Sequence, residues 1–171
     1  MMKDVNKHQA SLVDEHGELY QESRYDMSRN SGLLRQYICG GRGIVTLENI
    51  DTKIHHTYEF RRPNNPEEFD DHILFVYTLV RDNTWMYVGM YRTDYYVFRL
   101  TRASRFRSDS EIVRGVKYLV RRSNSDKPIT DSPMRIYHEG TCAICGRKLT
   151  TPKSIMLGMG PQCRRALKAA V

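Results

Sequence analysis

The sequence has no long apolar run, few cysteines and a single tryptophan. No apolar stretch reaches the ~18 residues that a membrane-spanning helix needs, so we expect no transmembrane segment and no membrane partner. The first residues, MMKDVNKHQASLVDEHGEL, contain no apolar block of the kind found in secretory signals, which indicates a cytoplasmic protein. In a reducing compartment, clustered cysteines are more often metal ligands or reactive thiols than disulfides.

The motifs of common enzyme classes are also missing. The segment CGGRG at 39–43 is rich in glycine, but it lacks the lysine and the following Ser or Thr of a phosphate-binding loop. Neither H-E-x-x-H nor H-x-E…P-C-x-x-C occurs, so the patterns of zinc proteases and zinc deaminases are absent. We therefore expect no enzymatic activity.

Acidic residues are scarce at the C-terminal end of the chain. The net charge is +7, and residues 132–171 contain 7 basic side chains against one acid, Glu139. This excess favours an anionic partner, most simply nucleic acid bound through phosphate contacts and counterion release. The predicted nucleic-acid-binding side chains are Arg147, Lys148, Lys153, Arg164, Arg165 and Lys168.

Aromatic residues are interleaved with arginines between residues 87 and 107, a pattern that can combine base stacking with phosphate contacts. The aromatic residues are Tyr87, Tyr91, Tyr95, Tyr96 and Phe98, and the arginines are Arg92, Arg99, Arg102, Arg105 and Arg107. Side chains alternate between the two faces of a strand, so part of this aromatic set must lie in the core. The pattern alone does not tell which part.

The middle of the chain has the composition of an antiparallel sheet. Five short runs rich in β-branched and aromatic residues are separated by turn-forming residues. They are RGIVTLE (42–48), KIHHTYEFR (53–61), HILFVYTLVR (72–81), TWMYVGMYR (84–92) and YYVFRLT (95–101). The short connections predict that the last three runs form a meander, and the continuously apolar ILFVYTLV predicts a central strand.

One helix is predicted after the strands, in SDSEIVRGVKYLVRR. Ser108, three residues before Glu111, is typical of a capping box. A single apolar stripe follows, formed by Ile112, Val113, Val116, Leu119 and Val120. Gly115 within this stripe costs helix stability and therefore suggests close packing onto the sheet.

These elements predict an α+β fold, with an antiparallel sheet of about five strands packed by one helix and followed by a small C-terminal module. The predicted organisation begins with a polar, loosely ordered arm at 1–30. The β-rich domain follows at 31–122, then a linker at 123–133 and a zinc-binding module at 134–171.

Three of the four cysteines lie within HEGTCAICGRKLTTPKSIMLGMGPQC, residues 138–163. Cys142 and Cys145 are separated by two residues, and Cys163 follows after another 17. Zinc takes four ligands in a tetrahedron, and a C-x2-C turn places two thiolates on one side of the ion. Between the cysteines, Thr151 is predicted to cap a short helix that starts at Pro152 and stops at Gly158, and Pro161 to start the last helix.

The fourth ligand has two candidates. His138 completes the pattern H-x3-C-x2-C-x17-C and is the assignment that we favour. Cys39 is the alternative, because the glycines after it suit a ligand-bearing turn, although tertiary folding would have to bring it close. Four protein ligands leave no vacant coordination position, so we predict one structural zinc ion rather than a catalytic one.

The segment CAICGRKLTTPKSIMLGMGPQC closely resembles the C-terminal zinc-knuckle module of a family of uncharacterised bacteriophage and prophage proteins. Their pattern is C-x2-C-G-R-x-L-T-x-P-x-S-I-x2-G-x-G-P-x-C, usually with a histidine shortly before it. The matching positions are Cys142, Cys145, Gly146, Arg147, Leu149, Thr150, Pro152, Ser154, Ile155, Gly158, Gly160, Pro161 and Cys163. The resemblance implies bound zinc and a place in an infected or lysogenic bacterium, but no reaction.

Two functions compete at this point. The first is a non-enzymatic zinc protein of bacteriophage type that binds nucleic acid through its basic C-terminal module. The alternative is an effector that binds a host protein, such as a defence or transcription factor, and inhibits or redirects it. In that case the polar arm at 1–30 would be the contact element, ordered by its partner.

Overall fold

The computed structural model describes residues 25–28, 30–125 and 132–169, which form one six-stranded antiparallel sheet with packed helices. In chain order the elements are α1 (Ser31–Cys39), β1 (Arg42–Asn49), β2 (His55–Arg61), a 3-10 turn (Pro66–Glu68), β3 (Ile73–Arg81), β4 (Thr84–Arg92), β5 (Val97–Arg99), α2 (Glu111–Ser123), β6 (Met134–His138), α3 (Pro152–Leu157) and α4 (Pro161–Ala169). The strands are ordered β5-β4-β3-β2-β1-β6 in space. The α+β fold, the β3–β5 meander and the central position of β3 are confirmed.

The two faces of the sheet differ in what covers them. On the inner face, side chains such as Val45, Tyr58, Phe60 and Val76 are completely buried, and they share one core cluster with residues of α1 and α2. The alternate residues of the same strands point to the outer face. In β3 this alternation is complete from residue 73 to residue 79, with every second side chain buried, as expected of a strand with one face in the core.

The predicted helix is present as α2, but its N-terminus differs from the prediction. Ser110, not Ser108, caps the helix, and its side-chain oxygen accepts a hydrogen bond from the Val113 N–H at 3.3 Å. The Ser110 N–H donates to the Arg107 carbonyl at 3.1 Å, so residues 107–110 form a turn that contains Ser108. The helix therefore begins after this turn, with Ser110 at the N-cap.

Two elements were not predicted from the sequence. Helix α1 packs against α2 and β1 through Leu34, Tyr37 and Ile38, which are buried. Its signals are Asn30, which caps the helix, and apolar residues at helical spacing, but the helix is only 9 residues long. The sixth strand, Met134–His138, pairs with β1 from Val45–His138 to Asn49–Met134. The first five residues of the predicted module therefore belong to the sheet.

Several sequence predictions concern residues at the margins of the described ranges. Most of the predicted arm lies outside the described residues; residues 25–28 run beside β6, where the Met27 N–H donates to the Ile136 carbonyl at 2.8 Å. Residues 126–131 of the predicted linker also lie outside them. In the part of the chain that the structure describes, no helix has both the length and the apolar character required to cross a membrane.

Gly115 confirms the predicted close approach of α2 to the sheet. A Cβ at this position would overlap the Tyr58 hydroxyl group, which donates a hydrogen bond to the Ile112 carbonyl of α2 at 3.1 Å. Gly32 in α1 has no such neighbour, since the nearest atom would be the Asn30 side-chain oxygen at 3.6 Å. The two glycines are therefore a matched pair for substitution: Gly115 has no space for a Cβ, whereas Gly32 does.

We expect Gly115→Ala to lower the free energy of unfolding by about 1–3 kcal/mol, because overpacking outweighs the gain in helix propensity. Urea denaturation measures this change. Gly32→Ala is the control and should be neutral or slightly stabilising. Adding Tyr58→Phe to Gly115→Ala removes the overlapping hydroxyl and should restore part of the loss. A stabilising Gly115→Ala would contradict the described packing.

Candidate metal centre

A tight hairpin after β6 positions Cys142 and Cys145. Thr141 and Lys148 form a β-bridge, and the Cys142 N–H donates to the Arg147 carbonyl at 2.8 Å. The hairpin turns at Gly146, whose φ of 74° lies in the left-handed region that favours glycine. The Gly146 N–H donates back to the Cys142 carbonyl at 2.9 Å. This geometry explains why a glycine follows the second cysteine directly.

Two short helices bring Cys163 to the same place. Thr151 caps α3 by accepting a hydrogen bond from the Ser154 N–H, and the helix ends at Gly158, whose φ is 64°. Pro161 starts α4, so Cys163 lies in the first turn of that helix. The predicted helix bounds around Thr151, Gly158 and Pro161 are thereby confirmed. Each proline and glycine fixes part of the path between the cysteines.

The three cysteine sulfurs converge on one point. All three lie within 4.8 Å of one another, with Cys142 buried, Cys163 partly buried and Cys145 exposed. Sulfurs bound tetrahedrally to zinc at ~2.3 Å are separated by roughly 3.8 Å, so the observed cluster has the size that an ion requires. No cysteine of the described residues is in a disulfide. The cluster can hold a metal ion.

Backbone hydrogen bonds prepare Cys142 for the thiolate form that metals bind. Burial by itself would raise the pKa of Cys142, but the N–H groups of Cys145, Gly160 and Ile144 point at the sulfur and lower the pKa to about 7. Burial raises the pKa of Cys163 to about 11, and the neighbouring Cys145 and Cys142 add to this effect. A divalent cation would remove this mutual repulsion between the thiolates.

His138 is not part of this cluster. Among the described residues, only the three cysteines form a group with the spacing of metal ligands. His138 is buried, its Nε2 lies 2.7 Å from the Ile155 carbonyl, and its Nδ1 lies 3.0 Å from the Gly140 N–H. The ring thus connects β6 to α3. Its assignment as fourth ligand stays a prediction, and metal binding would require the ring to give up one of these contacts.

Cys39 lies nearby, at the end of α1, but not in the cluster. Its thiol is beside the Tyr91 hydroxyl, and burial raises its pKa. The next residue, Gly40, packs against the hairpin of Cys142 and Cys145, because a Cβ at Gly40 would lie 2.6 Å from the Ala143 carbonyl oxygen. Gly40 therefore makes room for this hairpin, whereas a Cβ on Gly41 would meet the Arg62 side chain.

Docking of the hairpin onto the sheet depends on residues that the sequence did not identify. The Arg42 N–H donates to the Ala143 carbonyl at 2.7 Å, and the Ala143 N–H donates to the Gly158 carbonyl at 3.0 Å. Tyr37 of α1 is buried, packs against Gly158, and donates from its hydroxyl to the Thr141 carbonyl at 3.0 Å. The only sequence signal for this interface is Gly40, which lies against Ala143.

The predicted basic residues surround the cysteine cluster in sequence and most are exposed. Arg147, Lys148, Lys153, Arg165 and Lys168 are exposed, and Arg164 is partly buried. Within residues 25–28, 30–125 and 132–169 the structure gives none of the six an ion pair with an acid. Leu157, Pro161, Arg164, Arg165 and Lys168 line an open groove of about 500 Å³ on this module.

The predicted aromatic set is divided between the two faces of the sheet and a turn. Tyr91 is completely buried, and Phe98, opposite it on β5, packs against the core. Tyr95 and Tyr96 are exposed in the turn before β5, which begins at Val97 and is shorter than predicted. Tyr87 lies on the outer face. Only three of the five rings are therefore available to a ligand.

The comparisons with known proteins find similarity in the C-terminal module only. Residues 134–168, about a fifth of the chain, match a family described as a family of unknown function (DUF6011). A search of curated proteins and a search of solved structures each found no significant match. The family has no known function, so the bacteriophage origin and the expected partners stay predictions.

We expect Cys142→Ser, Cys145→Ser and Cys163→Ser each to abolish stoichiometric metal binding, because hydroxyl oxygen is a poor substitute for a thiolate. Native mass spectrometry of the full chain measures the metal-to-protein ratio. Cys39→Ser is the matched control and should retain one ion per chain. Loss of the metal from Cys39→Ser, with retention in Cys163→Ser, would contradict the described cluster.

The variant His138→Ala tests whether His138 is a metal ligand or a structural residue. If the ring acts through its two hydrogen bonds, the variant should lose about 1–3 kcal/mol of unfolding free energy, because the Gly140 N–H loses its ring partner and the Ile155 carbonyl keeps the Gly158 N–H but loses the ring. It should still bind one metal ion per chain at saturation, as measured by native mass spectrometry. Metal loss as complete as in Cys142→Ser would show instead that His138 is the fourth ligand.

Proposed function

We propose that residues 134–169 form a zinc-stabilised module that binds nucleic acid through the phosphate backbone. The choice of zinc rests on the ligand type, because thiolates select soft metals and a compact cysteine cluster in a small module is typical of structural zinc. In this proposal the ion does no chemistry. It fixes the hairpin and α4 relative to each other and thereby holds the basic side chains in place.

The single observation that carries the nucleic-acid proposal is the set of six cations on the module that have no ion pair with any described residue. Three arginines elsewhere in the protein contact acids: Arg92 contacts Asp70 and Asp94, Arg107 contacts Asp109, and Arg61 contacts Glu59. The module, in contrast, has one acid, Glu139, whose carboxylate accepts a hydrogen bond from the Thr46 hydroxyl at 2.7 Å. An anion that approaches the module therefore meets positive charges that few nearby acids neutralise.

The groove along α4 supports phosphate as the bound group. Arg164, Arg165 and Lys168 line it together with the apolar Leu157 and Pro161. The Nε of Arg164 is buried without a hydrogen-bond partner in the described part of the chain. Buried donors of this kind are normally satisfied by protein, water or a ligand, and a phosphate oxygen would satisfy this one. The guanidinium group suits phosphate, since it can donate two parallel hydrogen bonds.

Salt dependence of binding tests the proposal. Affinity of the full chain for a fluorescent oligonucleotide should fall steeply between ~50 and ~200 mM salt, because each phosphate contact releases counterions. The triple variant Arg164→Gln, Arg165→Gln, Lys168→Gln should lower the slope of log K against log [salt] by about 2–3. Fluorescence anisotropy at several salt concentrations measures both quantities.

A control for total charge is available on α2. Arg114→Gln, Lys117→Gln and Arg121→Gln together remove the same charge from an exposed helix face outside the module. This triple variant should keep the affinity and the salt slope of the unaltered protein. Equal losses in both triple variants would point to a general charge effect, and a salt-independent affinity would refute phosphate binding by the module.

A further inference from the structure

The outer face of the sheet carries a group of aromatic side chains that do not belong to the core. Tyr77 of β3 is directly opposite Tyr87 of β4, and Leu79 is opposite Trp85, so these side chains share one face. Phe75 follows the same alternation two residues before Tyr77. All of these rings are partly exposed, and none is in the core cluster or packed against it. Helices α1 and α2 lie on the other side.

Contacts between the rings fix their orientations. Phe75 meets Phe69 edge to face with centroids 5.1 Å apart, and it meets Tyr87 in the same way at 5.8 Å. Tyr87 also contacts Tyr77 at 5.6 Å. We call Phe69, Phe75, Tyr77, Trp85 and Tyr87 the aromatic surface. Partly exposed rings held in place in this way lose little conformational entropy when a flat ligand stacks on them.

A row of arginines crosses the same face. The register places Arg42 opposite Arg61, Arg61 opposite Phe75, Phe75 opposite Met90, and Met90 opposite Arg99. Arg42 and Arg99 are exposed and have no ion pair among the described residues. Arg61 contacts Glu59, and its guanidinium lies 4.5 Å from the centroid of the Tyr77 ring. Positive charge thus lies on both sides of Phe75.

This combination of rings and arginines favours one kind of ligand. An apolar protein surface would leave Arg42 and Arg99 desolvated without partners, which is costly. Nucleic acid offers phosphates to the arginines and base faces to the rings. Base faces are accessible only in unpaired nucleotides, since a duplex buries them in its own stack.

We propose that the aromatic surface binds single-stranded nucleic acid, with unpaired bases stacked on its rings and phosphates in contact with Arg42 and Arg99. The rings of this surface lie outside the C-terminal module, Arg42 borders the hairpin of that module, and the proposal goes beyond the phosphate binding proposed there. It gives the protein a preference for single strands, which phosphate contacts alone do not provide.

Trp85 is the only tryptophan in the chain and lies on the aromatic surface, so its fluorescence reports on this face specifically. Titration of the full chain with a single-stranded oligonucleotide of mixed sequence should quench this fluorescence to saturation. The same sequence as a duplex, and inorganic polyphosphate as an anion without bases, should bind without comparable quenching. Equal quenching by polyphosphate would overturn the proposal.

Substitution of Phe75 distinguishes the effect of the aromatic ring from the effect of side-chain volume. Phe75→Leu keeps an apolar side chain of similar size and should weaken single-strand binding by about tenfold, whereas Phe75→Tyr keeps the ring and should bind normally. Arg99→Gln should lower the salt slope by about one. Urea denaturation confirms that each variant is folded. Unchanged single-strand affinity in folded Phe75→Leu would contradict stacking on this surface.

The two proposals fail in different ways. The variant Arg164→Gln, Arg165→Gln, Lys168→Gln should bind single strands more weakly, yet it should reach the same Trp85 quenching at saturation. Oligonucleotide binding seen by anisotropy without any change in Trp85 fluorescence refutes the aromatic surface and leaves the module's role intact. Absence of all binding refutes both. Quenching that grows with protein concentration alone, without oligonucleotide, shows a second copy on this face and also overturns the proposal.

Discussion

Three cysteine sulfurs converge in the C-terminal part of this protein, and a metal ion bound to them would hold that part together. Residues 139–169 are too few to build a core of their own, and chains of this size usually need a metal or disulfides to fold. The apolar side chains that they do bury, among them Leu149, Ile155 and Met159, belong to the main core cluster. The sheet therefore stabilises the module on one side, and a metal ion in the cysteine cluster would stabilise it on the other.

The contact with the sheet determines where the module lies. Strand β6 pairs with β1, and the hairpin rests on Gly40 and Tyr37 without space for larger side chains. His138, between the strand and the hairpin, joins both to α3 through its two ring nitrogens. The metal site is thus built onto the edge of the sheet, and the basic groove of α4 takes its position from that edge.

Local chemistry explains which parts of this arrangement could be predicted. The caps at Thr151 and Gly158, the start of α4 at Pro161 and the turn at Gly146 depend on neighbouring residues only, so the sequence shows them directly. The strands are marked by alternation, as in β3. Long-range contacts leave no such signal. The hydrogen bond from His138 to Ile155 joins residues 17 apart, and the pattern of a histidine before C-x2-C gives no indication of it.

The same difference between local signals and long-range contacts applies to the basic and aromatic residues on the surface. The basic residues of the module can be counted in the sequence, whereas the exposure of aromatic residues depends on strand register. Tyr87 and Tyr91 lie four residues apart, but a β-bulge between Val76 and Tyr77 shifts the pairing, and the two rings reach opposite faces. Spacing by an even number would otherwise place them together.

Hydrogen exchange of the full chain, measured by mass spectrometry before and after chelation, tests the central claim most directly. If a metal ion joins the three cysteines, chelation should remove protection from backbone amides of residues 141–168 and leave those of β2, β3 and β4 protected. A chain that is free of metal as purified, with the amides of 141–168 protected to the same degree with and without chelator, would contradict the account.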